Sequence, residues 1–116
     1  MAPTSSTDLA HSLPQPKVFF ARRELLLILS AYGRGVAAGE WRDYAMDGLA
    51  DRALFSIYRR ASESPLYMIE KKPELARKQG EWSLLSGHGL VLKRGHDLAA
   101  VLRFFDRKRF ALVADD

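Results

Sequence analysis

The stretch ALFSIYRRASESPLYMIEKKPELARKQGEWSLLSGHGLVLK, residues 53–93, decides the fold. It holds four short runs rich in β-formers: Ala53–Arg60, Leu66–Lys71, Glu81–Ser86 and Leu90–Lys93. Ser62–Glu63–Ser64–Pro65 separates the first two and is short enough to make them a hairpin, and Pro73 closes the second run. Gly87–His88–Gly89 separates the last two, with two glycines free to take positive φ, which predicts a second hairpin.

Outward from this stretch the period changes from 2 to 3.6. Leu25, Ile28, Leu29, Tyr32 and Val36 form one helical stripe, which predicts a helix over 22–38 stopped by Gly39. Leu26 and Leu27 widen its apolar arc, so this helix is expected at the centre of the fold or against a second copy of the chain. Leu98, Val101, Leu102 and Phe105 repeat the stripe and predict a helix over 96–107, with His96 or Asp97 as N-cap. Lys17–Phe20, short and aromatic, reads as a first strand, and Glu40–Leu49 as a mixed stretch with room for one helical turn. The expectation is an α+β domain over 17–110. Its mainly antiparallel sheet, two hairpins plus a short N-terminal strand, packs two helices on one face and leaves the other free. Residues 1–16, with three of the five prolines and no Lys, Arg or Gly, read as a disordered tail, and 111–116 as a frayed end.

The composition, 47% apolar and 28% charged over 116 residues, is that of a single domain. With no cysteine, disulfides, thiolate zinc sites, iron–sulfur clusters and a Cys nucleophile are excluded, which fits a reducing, cytoplasmic compartment. The longest apolar run, Leu25–Leu29, is five residues, against the roughly 20 of a bilayer helix, so no membrane span is expected. Met1–Asp8 has neither the basic nor the apolar region of a secretory leader.

The net charge of +4 is unevenly placed. Residues 1–51 carry five basic and six acidic side chains, 52–94 carry nine and four, and 95–116 carry four of each. The central third is therefore the region whose field would draw an anionic partner. Its candidate binding residues are Arg59, Arg60, Lys71, Lys72, Arg77, Lys78, Lys93 and Arg94. Tyr58 and Tyr67 among these cations would suit base stacking on single-stranded nucleic acid, although half-buried tyrosines are the simpler reading and no RRM-type consensus is present. Lys93–Arg94–Gly95–His96–Asp97 resembles an anion site at a helix N-terminus, but Asp97 puts a carboxylate where the anion would sit and reads more simply as the cap.

Other chemistry is thinly represented. Asp43 and Asp47 would share a face if their segment were helical, with salt-bridging the simpler use of them, and His88 has no spacing-matched partner for a metal. No cofactor motif and no nucleophile motif occur, and no enzyme activity is read from the chain. Trp41, Tyr44 and Trp82 are candidate interface residues, because large aromatics favour contacts between proteins. Two function classes follow: a binding module for an anionic partner such as nucleic acid, or a protein-interaction or self-associating regulatory module. Clustering of the central cations on one face would favour the first, and scattering the second.

The runs GEWRDYAMD (39–47), LFSIYRRASESPLYMIEKKP (54–73), LARKQGEWSL (75–84) and GLVLKRGHDL (89–98) resemble a family of small alphaproteobacterial proteins known as a domain of unknown function, over about 17–107. The resemblance implies a bacterial cytosolic origin. It brings no substrate, cofactor or catalytic residue.

Overall fold

The computed structural model describes residues 17–60 and 63–114. Helix α1 (Arg22–Ala37) leads into strands β1 (Asp43–Gly48), β2 (Ala53–Tyr58), β3 (Tyr67–Lys71), β4 (Trp82–Ser86) and β5 (Val91–Gly95), and helix α2 (Leu98–Ala114) ends the fold. A 3₁₀ turn, Pro73–Leu75, lies between β3 and β4. The strands form one antiparallel sheet in the order β1-β2-β3-β4-β5, each pairing with its neighbour in sequence. The class is α+β, and the two expected hairpins are β2–β3 and β4–β5.

The fifth strand is not the expected one. Lys17–Phe20 has no strand conformation, while Asp43–Gly48, read as a mixed stretch, pairs with β2 along its whole length. The aromatic run is a strap over the sheet. Val18 N–H donates to Leu49 O, Phe20 stacks on Trp82 with ring centroids 6.2 Å apart, and the Phe19 ring covers the hydrogen face of Gly48. Its apolar side chains cover the sheet instead of extending it. As β1 is a strand, Asp43 and Asp47 share a face but stand four residues apart at roughly 3.3 Å each, too far to hold one cation between them.

Parity sorts the sheet into two faces. Phe55, Ile69 and Leu84 lie in register across β2, β3 and β4, and with Ile57 they are essentially inaccessible to solvent. Each such side chain contributes about 1.5–3 kcal/mol by leaving water. Both helices cover this face. From α1 come Ile28 and Ala31, with Leu25, Leu29 and Tyr32 packed against them; from α2 come Leu98, Val101, Leu102 and Phe105. Leu26, Leu27 and Val36 stay exposed, so the buried arc of α1 is narrower than its sequence suggests. Gly39 ends α1 at φ +74, and the Ala21 N–H, ahead of the helix, donates to Glu24 Oε1 at 2.7 Å.

Asp97 caps α2, its Oδ1 accepting the Ala99 N–H at 3.2 Å. The helix then runs to Ala114, seven residues past its expected end, because Arg, Lys, Ala and Leu follow with no Gly or Pro to stop it. The expected tail, 1–16, lies outside the described residues, as do Asp115 and Asp116. On the opposite sheet face Ser56, Met68, Leu85 and Val91 fall in register, and no helix covers them among the described residues.

Candidate anion-binding cleft

The register gives the sheet two ends. One carries Tyr58, Tyr67, Ser86 and Val91; the other carries Ala53, Lys71, Trp82 and Gly95. Five residues of strand hold them roughly 15 Å apart.

The central cations divide between these ends. Arg59 and Arg60 follow β2 at the first end, whereas Lys71, Lys72, Arg77 and Lys78 gather at the second, with Arg94 one residue short of it and Lys93 in mid-strand. Several already have partners. Lys71 Nζ lies 2.7 Å from Glu24 Oε1, donates to Phe19 O at 3.1 Å and stands 5.8 Å over the Trp82 ring, which fastens the start of α1 to the sheet. Lys72 pairs with Glu74 at 3.5 Å, and Arg94 donates to Ser83 Oγ and Gln79 Oε1. Arg59, Arg60, Arg77, Lys78 and Lys93 remain exposed. Tyr58 and Tyr67 do not make one platform, because Tyr67 packs against the core below the helices and Tyr58, one residue out of phase with the buried Ile57, belongs to the other face. Of the interface candidates, Trp41 and Trp82 are buried in the core, while Tyr44 is 44% exposed with its ring stacked on Phe55. Before α2 the Asp97 carboxylate accepts the Ala99 N–H, the capping role expected as its simpler use.

The first end holds a cleft of about 650 Å³ between the turn after α1, the ends of β2 and β4, and α2. Its floor is aromatic. Trp41 and Phe105 meet edge to face at 4.7 Å, and Tyr67 meets Phe105 in the same way at 5.1 Å. Its walls carry Arg59, His88, Lys108 and Arg109, with Glu40 the one carboxylate of the lining. The α2 residues converge because Phe105, Lys108 and Arg109 are three and four positions apart on one helix face. Glu40 and Trp41 are brought in by a tight turn in which both their N–H groups donate to Gly35 O.

The two α2 cations differ in their partners. Arg109 Nε lies 2.8 Å from Glu40 Oε1 and Nη1 lies 3.2 Å from Asp106 Oδ1, while its guanidinium stands 5.4 Å over the Trp41 ring. Its Nη2 is buried with no hydrogen-bond partner. Lys108 bonds the Tyr67 hydroxyl and lies 5.2 Å over that ring. Neither Lys108 nor Arg59 has a carboxylate within 4.0 Å among the described residues. The lining therefore carries two cations that, among the described residues, are in no ion pair. No cluster of metal-ligating side chains occurs among the described residues. Lys108 and Arg109 lie beyond the basic segment and beyond the expected end of the last helix; their spacing from Phe105 is the signal that would have placed them.

A family model for "Protein of unknown function (DUF2794)" matches residues 18–102. The chain belongs to this family. No curated protein and no solved structure matches it. The DUF2794 match covers the whole sheet, and with it Trp41, Arg59, Tyr67 and His88, and it stops within α2 before Phe105, Lys108 and Arg109. No helix among the described residues is long and apolar enough to cross a membrane.

Proposed function

We propose that this chain is a small binding module that receives an anionic group of its partner in the cleft. The charge balance of the lining carries the reading: Arg59, Lys108 and Arg109 stand around an aromatic floor, against the single carboxylate of Glu40. An anion arriving at Arg59 and Lys108 displaces solvent and counterions, with no existing ion pair to break. The central cations at the two ends of the sheet make no continuous track for a long polyanion, and this favours a compact group, a phosphate or carboxylate, over duplex nucleic acid.

The test is a titration of isotope-labelled protein with inorganic phosphate, followed by NMR at about 50 mM salt, where counterion release still helps binding. Shifts should concentrate at Arg59, His88 and Lys108 and shrink as salt is raised. The double variant Arg59→Ala with Lys108→Met should abolish the shifts, and since it also removes the bond from Lys108 to the Tyr67 hydroxyl it should cost about 1 kcal/mol of stability or less, leaving the fold intact. An unresponsive cleft, or shifts spread equally over Arg77 and Lys78, would refute the reading.

A further inference from the structure

We infer that the partner is an extended, acidic polypeptide segment that adds to β5 as a sixth strand and delivers its carboxylate to the cleft; this rests on the anion reading of that cleft. Among the described residues the sheet is open at both sides, β5 pairing with β4 alone and β1 with β2 alone. A free edge offers a row of N–H and C=O groups to any strand that fits, and proteins usually blunt such edges with charge. β1 is blunted in this way. It carries Asp43 and Asp47, which repel an acidic strand.

The β5 edge has the opposite character. Leu90, Val91 and Leu92 are 68%, 49% and 37% exposed, an apolar run on a free edge, followed by the cations Lys93 and Arg94. No acidic residue lies between Trp82 and Asp97. A second copy laid along this edge would bring the same cations to a shared seam, where like charges oppose pairing. An acidic strand with apolar residues at alternate positions meets both features, the aliphatic side chains and the positive charge.

The edge also leads into the cleft. The β4–β5 register slips between Leu84, opposite Lys93, and Leu85, opposite Val91, which leaves Leu92 as the extra residue of a β-bulge. Leu92 lines the cleft beside Phe105 and Lys108. A strand laid against β5 therefore runs past the cleft mouth, and a carboxylate near its end comes within the field of Lys108 and Arg59.

Four probes test this on the full chain: a blocked heptapeptide alternating valine and glutamate, its lysine-for-glutamate counterpart, a proline-for-valine counterpart of unchanged charge, and an oligothymidylate. The valine–glutamate peptide should bind about tenfold or more tighter than the other three. It should slow amide exchange along β5 and shift the resonances of Arg59 and Lys108. Val91→Ser, a neutral change at an exposed edge position outside the cleft lining, should weaken that peptide by about threefold and leave the phosphate response of the cleft unchanged. Equal binding of the valine and proline peptides, unaltered β5 exchange, or tighter binding of the oligothymidylate would overturn strand addition. If phosphate still shifts the cleft in those cases, the anion site stands without the strand; if neither phosphate nor peptide does, both readings fall.

Discussion

Two glycines in α1, Gly33 and Gly35, should respond to alanine with opposite sign. A methyl group built on Gly33 meets nothing within 4 Å, whereas one on Gly35 would lie 2.1 Å from Trp41 Cε3 and 2.4 Å from Cδ2. Carbon atoms rest about 3.5–4.0 Å apart, so the indole would have to move by about 1.5 Å. It has little room to do so. Trp41 is 3% exposed, with Phe105 at 4.7 Å, Tyr32 and Tyr67 each at 6.2 Å, and the Arg109 guanidinium over its face. Overpacking of a filled core costs about 1–3 kcal/mol, and an approach this close belongs at the upper end. Replacing a helical glycine by alanine returns about 1 kcal/mol. Gly35→Ala should therefore lose about 2 kcal/mol and Gly33→Ala gain up to about 1 kcal/mol. Urea unfolding followed by tryptophan fluorescence measures both, provided the m-values agree. Since Trp41 floors the cleft, Gly35→Ala should also disturb the phosphate response there, and Gly33→Ala should not. A Gly35→Ala protein as stable as Gly33→Ala would refute the packing described around the indole.

Two further outcomes follow from burial. Leu102→Ala should cost about 2–5 kcal/mol by lost transfer and cavity, and Leu29→Ala, whose side chain is only partly buried, should cost less; the reverse order in urea midpoints would misplace α1 on the sheet. Burial, and then the neighbouring Asp43 and Tyr44, push the Tyr32 hydroxyl above its ordinary value of 10.0. The fold thus favours the neutral phenol, a contribution fully present below pH 10.0 and lost as pH rises from there toward the folded value. Thermal melts across that range should fall more steeply for the native chain than for Tyr32→Phe, and equal slopes would remove Tyr32 as the cause.

Two helices and four strands were legible because their side chains face one core. Leu98, Val101, Leu102 and Phe105 all bury, and the four runs of the sheet meet their strands to within two residues at each end. β1 was hidden by its position. At the sheet edge with four of its six residues exposed, its alternation is short, Tyr44 and Met46 between Asp43 and Asp47 with Ala45 blurring it, and the two aspartates satisfy the i, i+4 spacing of a helix as readily as the period of a strand. Lys17–Phe20 failed in the converse way, since an aromatic run has the same local composition whether it extends a sheet or lies over one. Trp41 and Trp82 illustrate a related ambiguity, because large aromatics belong equally to cores and to interfaces.

The cleft escaped the charge map for a physical reason. A window of sequence sums charges that are neighbours along the chain, and the cleft gathers groups that are neighbours in space. The central segment has the largest surplus, yet its cations divide between two ends of a sheet and Lys71 is held by Glu24. Residues 95–116 balance by count, yet two of their acids are engaged locally: Asp97 in the cap of α2, and Asp106 with Arg34 and Arg109. Among the described residues, that leaves Lys108 without a carboxylate within 4.0 Å, on the same cleft as Arg59, which follows β2. The field at the cleft is thus set by which acids the fold has already occupied and by where the cations fall: a stretch that balances by count contains a helix with four basic residues and one acidic, and that helix supplies two of the three fixed cations of the cleft.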